Sequence, residues 1–183
     1  MSAEQGRTDP TTSAAAAEGS PVPFFRGRPV GQVGIVVRDL DRALDHYARL
    51  WGVGRWSLYT YGTHVLTSTT FRGRGEPYAM RLALNSERPQ VELIESTLGP
   101  NLYEEWLTAH GEGIHHLGYF VESIAESVQG MERAGYPAVQ TGLGTGLDGD
   151  GGYAYFDLRA ELGVYVEAIE PPARRRPPER VVG

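Results

Sequence analysis

The chain has 183 residues, 40% of them hydrophobic, and a formal net charge of −6. That size and apolar fraction suit one domain with a true core, and the acidic balance excludes a general nucleic-acid binder, which needs a basic face. Cysteine is absent, which excludes disulfides, Cys-ligated zinc and thiol nucleophiles and fits a reducing compartment. No apolar run reaches the ~18 residues that cross a bilayer, and the N-terminus lacks a signal-peptide core. A cytoplasmic protein with neither a membrane nor a nucleic-acid partner is expected.

Residues 1–27 are rich in Ser, Thr, Ala, Gly and Pro without periodicity. They read as a disordered tail, with Phe24 and Phe25 available to pack back onto the domain. Gly31 to Val37 reads as a strand, Asp39 as an N-cap, Leu40 to Leu50 as an amphipathic helix and Gly52 as its C-terminal glycine. The Tyr-, Thr- and Trp-rich stretch Arg55 to Arg72 is expected to be extended. Two further strands are expected at Tyr78 to Leu84 and Gln90 to Glu95, and a linking helix at 102–110.

The pattern then recurs. Gly113 to Val121 is a strand, Ser123 and Glu126 have capping-box spacing, and Gly135 ends the second helix. Extended segments follow from Val139, at Gly152 to Leu158 and at Val164 to Glu170. Gln32 aligns with His116 and Gly34 with Gly118. The helix positions Leu40, Leu44 and Tyr47 align with Ile124, Val128 and Met131. Both helices therefore keep one buried face with the same period, and the chain reads as a duplicated unit. Residues 172–183 hold four arginines among prolines and read as a basic, Pro-rich solvated tail.

Alternation along the strands assigns faces. Val33, Ile35 and Val37 lie under the first helix, so Gln32, Gly34 and Val36 point away from it. Leu117, Tyr119 and Val121 lie under the second helix, so His116, Gly118 and Phe120 point away. In the last strand of each half, Glu92 and Glu167 share that second face. Taken singly, a strand glutamate usually faces solvent, and a lone histidine is usually structural. Taken together, Gln32, Glu92, His116 and Glu167 occupy two equivalent pairs of positions on a face otherwise apolar or glycine. Buried carboxylates need a cation or hydrogen-bond donors, and one divalent metal with nitrogen and oxygen ligands would satisfy all four. Asp148-Gly-Asp-Gly-Gly152 resembles the start of a calcium loop but lacks its glycine and its final glutamate, so a glycine-rich mobile arm over Gly142 to Gly152 is the expectation there.

Val33-Gly-Ile-Val-Val-Arg-Asp-Leu40, Gly113-Ile-His-His-Leu-Gly118 and Gly163-Val-Tyr-Val-Glu-Ala-Ile-Glu-Pro171 resemble the vicinal oxygen chelate superfamily. That superfamily holds glyoxalase I, methylmalonyl-CoA epimerase, extradiol dioxygenases and the bleomycin and fosfomycin resistance proteins. The resemblance implies an α+β domain over 28–171. Its two β-α-β-β-β modules, 31–95 and 114–170, would form a curved, cup-shaped mixed sheet with the helices outside. It also implies metal ligands on the first and fourth strand of each module: Gln32, Glu92, His116 and Glu167, with His115 the adjacent alternative to His116. The ion would be one of Zn, Mn, Co, Ni or Mg.

Gln32 stands where the family's iron dioxygenases carry a histidine, which disfavours ring cleavage. The epimerases look like His, Gln, His, Glu in order and differ at two positions. The order Gln, Glu, His, Glu is similar to that of some glyoxalase I enzymes. Their glutathione-holding Arg and Asn are replaced here by Val36 and Ser96. The resemblance thus implies a metal-dependent isomerase or epimerase that takes a proton from beside a carbonyl through a metal-stabilised enolate or enediolate. Glu167 is expected to be the base and Glu92 the second choice, with a small carbonyl compound or acyl-thioester as substrate. Tyr59, Tyr61 and His64 are candidate substrate contacts, and a homodimer is expected. A glyoxalase-type lyase and a metal-independent, resistance-type binding protein are the alternatives.

Overall fold

The computed structural model describes Phe24 and residues 26–52 and 54–183. The tail expected over 1–27 therefore lies almost wholly outside the described residues. Where it is described it is not a tail: Phe24 is buried, with its ring edge-on to Tyr119 and Phe156 at 5.8 and 5.7 Å.

The first half contains β1 (Gln32–Val36), α1 (Leu40–Trp51), β2 (Trp56–Tyr61), β3 (Ser68–Phe71), β4 (Ala79–Leu84) and β5 (Gln90–Leu98). After α2 (Leu102–His110) come β6 (Gly113–Phe120), α3 (Ile124–Arg133), β7 (Ala138–Leu143), β8 (Gly152–Leu158), α4 (Arg159–Leu162), β9 (Val164–Glu170) and β10 (Arg180–Val182). The cap chemistry sets the helix starts. The side chains of Asp39, Asn101 and Ser123 accept from Arg42 N, Glu104 N and Glu126 N, each satisfying one of the free donors of a first turn. Gly52 closes α1 in the left-handed region at φ 64°, where any other L-residue would be strained.

The ten strands among the described residues form one sheet, in the order β10-β2-β4-β5-β1-β6-β9-β8-β7-β3. β1 runs parallel to β5, β6 parallel to β9, and β1 and β6 meet antiparallel at the centre. The expected α+β architecture of two repeated modules is thus present, with both modules in one chain and their first strands joined. The faces fall as alternation requires. Val37, Leu40, Leu44 and Leu93 form one core under α1, and Val121, Ile124, Met131 and Val166 form another around α3. The third core lies on the concave side, where Val36, Tyr78, Ile94, Tyr153, Tyr155 and Tyr165 pack together.

Two edges depart from a simple repeat. β3 leaves its own half and pairs with β7 at the far edge of the other, where Thr70 and Thr141 hydroxyls also hydrogen-bond at 2.7 Å. Residues 172–183 are not a solvated tail: β10 pairs antiparallel with β2 on the first half. Glu179 accepts from Thr60 N and Oγ1 at 2.9 and 3.0 Å, and Arg180 pairs with Asp41 at 2.6 Å. Each half lends the other an edge strand, which covers backbone groups that a free edge would expose. The Gly142–Gly152 arm is likewise ordered, as a hairpin between β7 and β8. Its acidic side chains serve the chain itself: Asp150 accepts from Ala173 N, and Asp148 pairs with Arg174.

Candidate metal centre

Four strands bring the four expected residues together at the floor of the cup. Gln32 lies on β1, Glu92 on β5, His116 on β6 and Glu167 on β9, and all four are buried. The parallel pairings β1–β5 and β6–β9 place each glutamate next to the first strand of its own half. The antiparallel β1–β6 pair joins the two halves, so the site is completed within one chain. His116 Nε2 lies 3.0 Å from Glu167 Oε2 and 3.4 Å from both Glu92 Oε2 and Gln32 Oε1. Room for this comes from two glycines. A Cβ on Gly34 would fall 1.8 Å from His116 Cε1, and one on Gly118 would fall 2.9 Å from Gln32 Cβ.

Three oxygens converging on one ring nitrogen cannot all be satisfied by it, because an imidazole N–H donates along one direction. Glu167 Oε2 indeed has no aligned hydrogen bond and is fully buried. A cation bonded to all of them removes that deficit. The ligand atoms of Glu92, His116 and Glu167 lie within 4.8 Å of one another. That spacing fits one ion with bonds of ~2.0–2.3 Å after small adjustments. With one imidazole and oxygen donors, the set suits a hard or borderline divalent ion.

The charges are strongly coupled. Burial alone pulls the His116 imidazole down, but Glu167 and then Glu92 outweigh it and raise its pKa to about 9. Burial pushes the Glu92 carboxyl up, reinforced by Glu167 and partly offset by its contact with His116. Burial likewise pushes the hydroxyls of Tyr103, Tyr153 and Tyr155 well up, so they stay protonated donors in neutral solution.

Polar support comes from Gln90, not singled out in the sequence, and from His115, expected only as an alternative ligand. Gln32 Nε2 donates to Gln90 Oε1 at 2.9 Å, and Gln90 Nε2 donates to Asn85 O at 3.0 Å. That chain turns the Gln32 amide so that its oxygen faces the cluster. Alternation marks Gln90, two residues before Glu92, as a concave-face position, so this partner was within reach of sequence. His115 was not. The β1–β6 register shifts between Gly34 and Ile35, leaving His115 as the extra residue of a bulge. Both histidines are therefore fully buried on one side, 5.3 Å apart between ring centroids, with His115 against Tyr103, Trp106 and Tyr165. His115 is held neutral by burial first and by His116 second. The charged His116 donates from Nδ1 to His115 Nδ1 across 3.0 Å, which leaves Nε2 aimed at the carboxylates.

A cavity of about 80 Å³ opens above the cluster. Gln32, Glu92 and Glu167 lie at its floor, and Tyr59, Tyr61 and Tyr153 are among the groups around it. Tyr59 and Tyr61 thus line the cavity. His64 is exposed and does not line it. Thr145 and Gly152, from the glycine-rich hairpin, form part of the opposite wall, together with Arg175 and Arg176.

The family model described as the Glyoxalase/Bleomycin resistance protein/Dioxygenase superfamily matches residues 31–156. The chain belongs to this superfamily. The match includes Gln32, Glu92 and His116 and stops before Glu167. No curated protein matches the chain. Among solved structures, a hypothetical protein from Bacillus halodurans C-125 is similar at 20% identity and TM-score 0.54, covering 82% of this chain and 99% of that one. Methylmalonyl-CoA epimerase from Mycobacterium tuberculosis is similar at 20% identity and TM-score 0.51, covering 77% and 86%. A methylmalonyl-CoA epimerase in complex with methylmalonyl-CoA and NH4+ is similar at 17% identity and TM-score 0.54, covering 82% and 99%. At these identities the likeness is one of fold.

Proposed function

We propose that this superfamily member is a divalent-metal-dependent isomerase or epimerase that moves a proton at the carbon next to a carbonyl. The supporting observation is the buried set Glu92, His116 and Glu167, with Gln32 beside it, at the floor of a cavity large enough for a small substrate head. Gln32, Glu92, His116 and Glu167 would hold the ion. The cation supplies positive charge where oxyanion character develops on the substrate carbonyl.

The protein supplies the rest. Glu167 takes the proton once substrate has displaced its carboxylate from the ion. Gln90 and His115 hold Gln32 and His116 in orientation through the hydrogen bonds described above. The aromatic side chains Tyr59, Tyr61 and Phe120 line the cavity and limit water around the exchanging proton. The neutral Tyr153 phenol donates to the Tyr78 hydroxyl at 2.8 Å, which in turn donates to Thr141 O at 2.7 Å and fixes that wall of the cavity.

Against the glyoxalase-type alternative, Ser96 is engaged by Asn101 and Glu104 at the start of α2, and Val36 is fully buried in the concave core. Against a purely sequestering protein, such a role gives no reason to bury two carboxylates around one histidine. The test is proton NMR in deuterated water with a panel of α-substituted carbonyl compounds and acyl-thioesters, with the metal replete. Enzyme-dependent loss of one α-proton signal is expected for one class. No exchange across the panel, with protein that retains no stoichiometric metal after dialysis, would favour the binding-protein reading.

A further inference from the structure

The segment after β9 crosses the mouth of the cup. Near its start it is tied to the β7–β8 hairpin: Leu147 N donates to Arg174 O at 3.0 Å, Ala173 N donates to Asp150, and Gly146 bridges to Arg175. At its end β10 is tied to β2 of the other half. Prolines 177 and 178 stiffen the span between. Ordering a strap of this kind costs backbone entropy, which the hydrogen bonds and ion pairs at both ends offset.

Four arginines lie on the strap, and two of them have carboxylate partners: Arg174 pairs with Asp148 and Arg180 with Asp41. Arg175 and Arg176 pair with no carboxylate among the described residues; both line the cavity. Arg176 is half-buried, and its Nε is buried without a hydrogen-bond partner. Tyr61, set in the cavity wall, lies within electrostatic reach of both guanidinium groups and of Glu92. The Glu92 and Glu167 carboxylates are committed to the floor of the site. Once a divalent cation neutralises those two, and with Glu170 engaged by Ile124 N, the upper wall carries two guanidinium groups that pair with no carboxylate among the described residues. For the half-buried Arg176 that state is costly, and the planar donors of both groups match an oxyanion with two oxygens.

We infer that Arg175 and Arg176 form a cationic clamp and that the substrate of this site is an anion, carrying a carboxylate or a phosphate group at its end remote from the reacting carbonyl. This rests on the cavity being the substrate site. It deepens that reading by naming a substrate class that the metal cluster alone does not select.

Calorimetric titration of the purified protein with malonate, with pyrophosphate and with neutral malonamide tests it. At low ionic strength the wild type should bind at least one of the two anions with Kd at or below about 1 mM. The tighter of the two identifies the group as carboxylate or phosphate. The double variant Arg175→Gln/Arg176→Gln should lose at least about tenfold in that affinity, whereas the charge-keeping Arg176→Lys should lose less. Malonamide binding should be weak and the same in all. Arg175 is exposed, so Arg175→Gln alone provides a folded variant if the double one is unstable, and it should show part of the loss. Anion affinity unchanged in the double variant, or no anion binding by the wild type, would overturn the clamp. Metal affinity measured on the same proteins separates the two readings. Arg variants that bind metal like wild type while keeping anion affinity sink the clamp alone. Loss of anion affinity in the Arg variants, with full metal retention by His116→Ala, sinks the metal assignment alone.

Discussion

The two halves of the cup hold equivalent positions and make different contributions. Gln32 and Glu92 in the first half correspond to His116 and Glu167 in the second, each pair on a parallel strand pair. The first half orients its amide through a polar chain, Asn85 to Gln90 to Gln32. The second half orients its imidazole through a bulge and an aromatic wall, with His115 among Tyr103, Tyr155 and Tyr165. Duplication supplied the symmetry of placement. The second half carries the only imidazole of the set. The difference teaches that position in a repeat assigns a residue to a site, while its neighbours assign what it does there.

The sharpest way to break this comparison is to treat the two carboxylates as equals. Glu167→Gln is expected to lose at least about 100-fold in turnover at saturating metal, the lower range for removing a general base. Glu92→Gln is expected mainly to weaken metal affinity. Steady-state kinetics beside a metal titration read the two effects separately, and the reverse pattern would make Glu92 the base.

Next come the two first-strand residues. His116→Ala should abolish tight metal binding with the fold intact. Gln32→Ala should cost less, about tenfold to 100-fold, as for loss of a supporting or weak donor. Metal content after dialysis and circular dichroism check both. Full metal occupancy in His116→Ala would transfer the ligand role, with His115 as first candidate.

Acidity gives a smaller, graded effect. Folded His116 stays charged up to about 9, against an ordinary value of 6.5. Its contribution to the stability of the metal-free protein is therefore complete below 6.5 and is lost as pH rises through about 9. Metal requires the neutral imidazole, so apparent metal affinity should run the other way. It should rise about tenfold per pH unit towards 9 and then level. A flat affinity profile between pH 6 and 9, in an experiment over about those limits, would mean that His116 is not the titrating ligand.

The smallest expected effect compares the two glycines. Gly34→Ala puts a methyl group into the His116 ring, 1.8 Å from Cε1, whereas Gly118→Ala meets the end of Ile169 at 2.7 Å and Gln32 Cβ at 2.9 Å. The Ile169 terminus can turn aside, but an imidazole held by His115 cannot do so easily. Gly34→Ala should destabilise by about 1–3 kcal/mol, the usual cost of overpacking, and Gly118→Ala by less. Thermal unfolding of both reads the difference, and equal losses would remove the distinction between a pinned and a movable neighbour.

Local chemistry made much of this legible in sequence. Strand alternation assigned Gln32, Glu92, His116 and Glu167 to the concave face, because side chains two apart must share a side. The caps Asp39 and Ser123 are local hydrogen bonds and were readable for the same reason. The internal repeat carried the pairing of the two halves. The bulge was not readable: it depends on the register between β1 and β6, two strands distant in sequence, and no property of Ile114-His-His116 alone requires it. β3 crossing to β7 and β10 returning to β2 were hidden for a related reason, since an edge strand is chosen by whichever free edge the finished sheet presents. The basic run after Pro171 showed its charge but not its destination. By itself the sequence determined the duplicated fold and which residues face the cup, because those follow from periods of two and 3.6 along one chain. Only the tertiary structure decided that His115 buttresses His116, that the halves exchange edges and that Arg175 and Arg176 meet the cavity. Each of these depends on contacts between segments distant in sequence, and such contacts leave no local periodicity to read.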